Sequence, residues 1–268
     1  MEKQRDILDE IVAAKRIEVA EQMKAVPTRE LLHKVEELLS NGITRRSMRQ
    51  ALASSPTGII AEFKRKSPSK GWIHQDAEVD KVVADYEKNG ASALSILTDE
   101  QFFGGQMRFI SRVRSSVNIP ILRKDFIIDE YQLYQARMIG ADAVLLIAAC
   151  LTPDQCRTMA RKAHELELET LLEIHSEAEL SYVSDDIDMV GVNNRNLGTF
   201  HTDVQNSFRL AGLLPKDKLL VSESGISDAH TLQRLREVGF RGFLIGETFM
   251  KTPDPGATLR ELISTLKE

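Results

Sequence analysis

Ile59-Ile60-Ala61-Glu62-Phe63-Lys64 is an apolar run that passes straight into two charges with no turn residue between. Pro120-Ile121-Leu122-Arg123-Lys124-Asp125 and Thr170-Leu171-Leu172-Glu173 are built the same way. A parallel strand covered on both faces reads as an almost unbroken apolar run, and an unpaired charge inside it is costly. Charges gathered at the carboxyl ends of such strands therefore mark one polar site at the rim of a parallel sheet, where α/β enzymes carry their chemistry.

Working outward from Ile59, apolar runs alternate with amphipathic segments. Strands are predicted over Ile59–Lys64, Ala93–Thr98, Ile121–Lys124, Ala143–Ala148, Thr170–Ile174, Met189–Asn193, Leu219–Ser222 and Gly242–Ile245. Helices are predicted between and after them, over Glu78–Lys88, Met107–Ser115, Glu130–Ile139, Pro153–Glu165, Glu177–Val183, Val204–Ala211, Ala229–Val238 and Ala257–Leu266. Eight strand-helix units are what a closed (β/α)8 (TIM) barrel of ~250 residues requires. An open doubly wound sheet rarely has so many units, and G-x-G-x-x-G does not follow the first strand. Gly90, Gly140 and Gly239 each stand just past a predicted helix end, where a left-handed cap favours glycine.

Residues 1–55 lie outside this pattern, and the reading is one barrel domain over 1–268 with an N-terminal helical extension. Ile7, Leu8, Ile11, Val12, Val19 and Met23 share one helical face, which is expected to pack on the barrel and help cover its mouth. Lys15 falls inside that stripe and reads as a snorkelling side chain. Thr28, after Pro27, is expected to cap a second helix.

The totals exclude several classes. A formal net charge of -5 leaves no basic footprint for nucleic acid. The longest apolar run, Ala143 to Leu151, is too short to span a bilayer. Met1 to Asp6 carries no apolar signal segment, so the expected compartment is the cytoplasm, with no membrane partner. Cys150 and Cys156 are too few for a disulfide framework, and the six scattered histidines match no zinc spacing. No metal or cofactor is expected, and the expected assembly is a monomer or weak homo-oligomer.

Alternation along a strand puts Glu62 with Lys64, Leu122 with Lys124, Leu171 with Glu173, Gly191 with Asn193 and Arg195, and Val221 with Glu223. Glu62, Glu173 and Glu223 thus share one cavity with Lys64, Lys124 and Arg195, while Phe63 faces the helices. A balanced ion plug closing the barrel is the plain structural alternative, but leucine and valine would fill that space without the desolvation cost. Ser222-Glu223-Ser224-Gly225-Ile226 and Ile245-Gly246-Glu247-Thr248 follow the last two strands, where barrels bind phosphate. A phosphorylated small-molecule substrate is therefore expected. The loop Lys64-Arg65-Lys66-Ser67-Pro68-Ser69-Lys70-Gly71-Trp72 is basic and rich in hydroxyls. Ser67 reads there as a phosphate donor, Lys66 and Lys70 as solvated, and Trp72 as either loop anchor or aromatic wall.

Ile60 to Gly71 resembles the signature of the indole-3-glycerol-phosphate synthase family. So do Ser95-Ile96-Leu97-Thr98-Asp99 with Phe103, Ile121 to Phe126, Leu171-Leu172-Glu173, Gly191 to Leu197, and Ser222 to Ile226. The resemblance spans essentially the whole chain. It implies a carboxy-lyase of tryptophan biosynthesis that converts 1-(2-carboxyphenylamino)-1-deoxyribulose 5-phosphate into indole-3-glycerol phosphate, CO2 and water by acid-base catalysis.

Carried over by position, the resemblance implies Lys124 as general acid for ring closure and Glu173 as general base. Lys64 is implied as partner of the substrate carboxylate and the alternative acid in dehydration. Glu62 is implied to orient Lys124 through a hydrogen bond, with Asn193, Glu223 and Ser224 holding sugar hydroxyls and the acid-base pair. Ser67 and the backbones of Gly225 and Gly246 are implied to bind phosphate, and Pro68, Phe103 and Phe126 to form the slot for the aromatic ring. Arg195 matches the motif, with a structural role open beside binding. Glu247 departs from the usual small hydroxyl residue, so its carboxylate is expected to turn away from the phosphate and leave only its N–H as a contact. The chain closes one helix after strand eight, which reads as monofunctional. Phosphoribosylanthranilate isomerase, another phosphate-binding barrel, would end strand one in cysteine, whereas here Glu62 and Lys64 stand. The remaining alternative is a binding protein that has lost turnover.

Overall fold

The barrel strands close on one another. In a computed structural model that describes residues 7–42, 45–196 and 198–267, eight parallel strands form a ring. They are β1 (Ile59–Phe63), β2 (Ala93–Leu97), β3 (Ile121–Lys124), β4 (Ala143–Ile147), β5 (Glu169–Ile174), β6 (Met189–Asn193), β7 (Leu219–Glu223) and β8 (Phe240–Ile245). Each pairs with its sequence neighbours, and β1 pairs with β8 through Ile59 opposite Phe243. Met1 to Asp6 and Leu197, which entered the sequence reading, lie outside the described residues.

Side-chain alternation divides the apolar residues into two sets. Ile60, Leu122, Ala143, Leu145, Leu171, Met189, Val221 and Leu244 pack inside the ring. Ile59, Ala61, Phe63, Ile96, Val144, Leu172 and Val190 pack outward against the helices. The inner set stops below the carboxyl ends of the strands, and the charged residues begin there.

The extension covers both ends. Helix α1 (Ile7–Ala25) brings Ile7, Leu8 and Ile11 to the mouth at the carboxyl ends of the strands. Helix α2 (Thr28–Ser40) packs against the helix Glu130–Ile139. Its first residue is Thr28, whose side chain makes no cap; the backbone carbonyl of Pro27 accepts from Glu30 and Leu31 N–H instead. Helix α3 (Met48–Ser54) plugs the opposite end with Met48 and Leu52, both fully buried. Glu169 fastens that plug by accepting from the Ser47 hydroxyl at 2.6 Å and Arg49 N–H at 2.9 Å.

Two predicted elements change character. Glu177–Tyr182 is a 3₁₀ turn, held because the Glu179 carboxylate accepts the backbone N–H groups of His175 and Ser176. Lys66–Ser67 and Gly71–Trp72 form a small antiparallel hairpin where a loop was expected. Trp72 anchors it, lying under Arg65 and Lys66 and against Gly104, and it lines neither of the two cavities at the mouth.

Lys15 does not snorkel. It is 1% exposed, and its Nζ lies 3.0 Å from both Asp99 and Asp125 and 2.7 Å from Glu18. Asp125 also takes Arg123 at 3.0 Å and the Thr98 hydroxyl at 2.6 Å. Burial alone would lower the Lys15 ammonium's pKa, but Asp125 and Asp99 outweigh it and hold it well above the usual range. Burial would raise Asp125, but Arg123 and Lys15 hold it below the usual range. This cluster bolts α1 to the residue next to Lys124. A lysine whose folded pKa is raised stabilises fully below its unfolded pKa and loses that contribution as pH rises through the folded value. A depressed aspartate stabilises above its unfolded pKa and loses that contribution as pH falls through its folded value. Removing the ammonium leaves buried carboxylates uncompensated, so Lys15→Met is expected to lose about 3–5 kcal/mol. The loss should be largest between about pH 5 and 10 and shrink in acid. Urea midpoints across that range check this; an unchanged midpoint at pH 7 would mean that the cluster stabilises nothing.

Candidate functional site

The barrel register sets the ionised residues side by side at the carboxyl ends of the strands. Glu62 stands opposite Ser95, Leu97 opposite Lys124, Glu173 opposite Gly191, and Asn193 opposite Glu223. Glu62, Lys64, Lys124, Glu173, Asn193, Glu223 and Ser224 all line one cavity, and Arg195 stands at its edge. Its volume is about 110 Å³. Pro68, Phe103 and Phe126 form its apolar wall, the two rings tilted with centroids 5.9 Å apart. Leu8 and Ile11 of α1 close it from above.

Lysines and glutamates pair inside it. Lys124 Nζ donates to Glu173 Oε2 at 3.3 Å, and Lys64 Nζ lies 2.9 Å from Glu62 Oε1. Glu62 also accepts from the Ser95 hydroxyl at 3.1 Å. The hydrogen bond expected between Glu62 and Lys124 is therefore made to Lys64, because residues 62 and 64 share one face of a single strand. Lys124 still feels Glu62 through space.

Burial opposes charge on every member. It would push the Lys124 ammonium down, but Glu173, Glu223 and Glu62 hold it well above its usual range. Burial would raise Glu173, yet Lys124 and then His175 hold it far below. Glu62 is likewise held low by Lys64 and Lys124 against burial. Glu223 goes the other way, raised first by burial and then by Glu173.

A second cavity of about 380 Å³ adjoins the first and shares Glu62, Lys64, Ser69, Arg195, Ser224 and Leu244 with it. Gly225, Ile226, Ser227, Gly246, Glu247 and Thr248 form its floor. Ser224 and Gly225 both adopt left-handed backbone, φ 68° and 77°, and the Asn194 amide fixes the turn by donating to the Ser224 carbonyl at 3.0 Å. A Cβ on Gly225 would come within 2.7 Å of Thr202, so only glycine fits that corner. Ser67 lines the first cavity and not this one; Ser69 of the same loop lines both. Lys70, expected in solvent, lines the cradle while 58% of its side chain stays exposed.

The Glu247 carboxylate does not turn away. It reaches across the cradle to Arg195 at 3.1 Å and Lys70 at 3.6 Å. The Arg195 hydrogen bond and the nearby cations keep it ionised and below the usual range, against the cost of burial. Arg195 also donates to the hydroxyls of Thr202 and Ser69.

Two contributors, Phe200 and His175, were missed in the sequence. Phe200, in left-handed backbone at φ 57°, lines both cavities. Leu8 and Ile11 were expected to help cover the mouth, and both line the inner cavity. His175 stands two residues beyond Glu173 on the same strand face, with its Nε2 3.3 Å from Glu173 Oε1. Parity with Glu173 was the available signal for His175; Phe200 has none.

Comparison with known proteins places this arrangement. The family model described as indole-3-glycerol phosphate synthase matches residues 8–262. The indole-3-glycerol phosphate synthase of Bacteroides thetaiotaomicron is 60% identical over 263 residues, covering 98% of this chain and all of that one. Proteins of the same name from Rhodopirellula baltica and Polaromonas sp. are 42% and 41% identical over 97% and 96% of this chain, and 99% and 98% of their own lengths. Among solved structures, KGPDC from Streptococcus mutans and 3-hexulose-6-phosphate synthase from Salmonella typhimurium superpose with TM-scores of 0.59. Each covers 78% of this chain, with 96% and 98% of those chains matched, at 12% and 14% identity. Likeness at that identity speaks for the barrel alone.

Proposed function

The chain belongs to the indole-3-glycerol phosphate synthase family, carboxy-lyases of tryptophan biosynthesis, and we propose how its residues run the reaction. The substrate is 1-(2-carboxyphenylamino)-1-deoxyribulose 5-phosphate. Its aromatic ring lies between Pro68, Phe103 and Phe126, and its phosphate lies in the cradle of Gly225, Gly246, Ser69, Arg195 and Lys70. Lys64 meets the substrate carboxylate. Lys124 protonates the ketone oxygen as the ring carbon attacks, CO2 leaves, and Glu173 takes the proton that must go before the indole double bond forms. Asn193 and Ser224 hold the sugar hydroxyls. Each acid or base supplies typically ~10²–10⁴-fold.

The observation that carries this reading is the Lys124–Glu173 pair, 3.3 Å apart in a cavity that opens directly into a cradle lined by cations. A molecule with an aromatic carboxylate at one end and a phosphate at the other fits two such connected lobes. The isomerase alternative would need an acid-base thiol. Burial, then Glu173 and Glu179, push the Cys150 thiol up to about 12, which suits no proton transfer at neutral pH. No helix among the described residues is long and apolar enough to cross a membrane.

The direct test is to supply the carboxyphenylamino-deoxyribulose phosphate and follow indole fluorescence together with released CO2. Lys124→Met is expected to lower kcat by ~10²–10⁴-fold while substrate still binds; a variant keeping most of its kcat refutes the general-acid role. Glu247→Gln removes the resident anion from Arg195 and Lys70. It is expected to tighten binding of inorganic phosphate by roughly two- to fivefold, the equivalent of about 0.5–1 kcal/mol for a half-exposed pair. Calorimetric titration with phosphate reads this, and weaker binding would show that the carboxylate helps to hold the anion.

A further inference from the structure

We propose that Glu223 is held as a neutral carboxylic acid sharing one proton with Glu173, and that this pair drives the dehydration step. The catalytic half of this rests on the reaction assigned above; the protonation state does not.

The first observation is how the charges pair. Two lysines face three glutamates in the inner cavity. Lys64 takes Glu62 at 2.9 Å and Lys124 takes Glu173 at 3.3 Å. Among the described residues Glu223 has no ion pair, although it is 1% exposed, and its Oε1 has no hydrogen-bond partner. An ionised carboxylate in that position would carry its desolvation cost with no ion pair of its own and no hydrogen bond at Oε1 to offset it.

The second is contact. Glu223 and Glu173 line the same small cavity, and Glu223 Oε1 lies over Gly191, the strand neighbour of Glu173. Two carboxylates that meet there cannot hydrogen-bond without a proton between them, and like charges so close do not both ionise. Glu173, paired with Lys124 at 3.3 Å and with His175 Nε2 3.3 Å from its Oε1, is the better-stabilised anion, so the proton resides on Glu223. The charged and titratable groups facing Glu223 are Glu173, Lys124 and Glu62, and burial and Glu173 raise it further than Lys124 lowers it.

The third is the space made for it. Oε1 lies directly over Gly191, where a Cβ would be 2.1 Å away. Gly191 is the strand neighbour of Glu173, so a glycine on β6 lets a carboxyl from β7 reach a carboxylate on β5.

The chemistry balances. After CO2 has left, the C–H bond next to nitrogen breaks and its proton goes to Glu173. The electron pair forms the indole double bond, and the hydroxyl departs with the proton of Glu223 as water. The pair began with one proton and ends with one, now on Glu173, which returns to Glu223 through their shared hydrogen bond. No outside proton is needed for this step.

Infrared difference spectra of the substrate-free enzyme at neutral pH test the first half. A protonated-carboxyl stretch that shifts in D2O is expected in the wild type and in Glu62→Gln, and is expected to be missing in Glu223→Gln. Its absence from the wild type, or its survival in Glu223→Gln, overturns the assignment. Should Glu223→Gln not fold, the wild-type band decides alone. Rapid-quench kinetics test the second half. In Glu223→Gln, CO2 is expected to appear in the first turnover at near wild-type rate while indole fluorescence lags by ~10²-fold or more. Equal slowing of both signals overturns the dehydration role. If the wild type releases neither CO2 nor indole, the reaction assignment fails, and the infrared result stands apart from it.

Discussion

A barrel interior cannot hold a net charge cheaply, and that constraint organises this molecule. Below the rim the interior is filled by Ile60, Leu122, Leu145, Leu171, Val221 and Leu244. Above that floor every ionised side chain must find its opposite within a few ångströms, because the groups have little water around them. Lys64 with Glu62 and Lys124 with Glu173 meet that demand pairwise. The same pairing holds Lys124 protonated and Glu173 ionised in the resting site. These are the states in which a general acid and a general base must start.

A second ion cluster fixes the first. Arg123 and Lys124 are neighbours on β3 and point opposite ways, one into the helix layer and one into the cavity. Arg123 joins Asp125, Thr98 and the carbonyl of Gln132, and Lys15 of α1 joins Asp125 and Asp99. The segment that carries the proposed acid is thus held from behind by a buried network, and the roof over the cavity is held by the same network. A site on the end of a strand gains positional precision when its supporting shell is locked in this way.

How much of this was legible in the sequence follows from the range of the interactions involved. Strand parity is a local rule, so Glu62, Lys64, Lys124, Glu173, Asn193 and Glu223 could be assigned to one cavity before any coordinates. Gly225 and Gly246 were legible because the loops after the last two strands have a fixed place in the fold. Pairing within the cavity was not legible, since parity does not say whether Glu62 takes the lysine on its own strand or the one two strands away. Lys15 was misread because a lysine in an apolar stripe looks alike whether it reaches water or two carboxylates about a hundred residues along the chain. Glu247 was misread for a related reason. Its carboxylate was expected to turn away from the phosphate, while the cations it meets come from the turns after β1 and β6.

The charge of the cleft suits a molecule with two anionic groups. With the proposed proton on Glu223, the inner pairs of Lys64 with Glu62 and Lys124 with Glu173 balance, and the outer cradle sets Arg195, Lys70 and Lys251 against Glu247. The phosphate site proposed there would compete with Glu247 for Arg195 and Lys70, the two cations that Glu247 now holds. The carboxylate, by contrast, enters a lobe with no charge to spare. In the proposed mechanism it meets Lys64 in competition with Glu62. Had Glu223 been ionised, the inner lobe would already be negative and would resist the group whose removal is the point of the reaction. In the proposed mechanism a neutral acid in that position would therefore serve two ends, admitting the carboxylate first and supplying the proton for water afterwards.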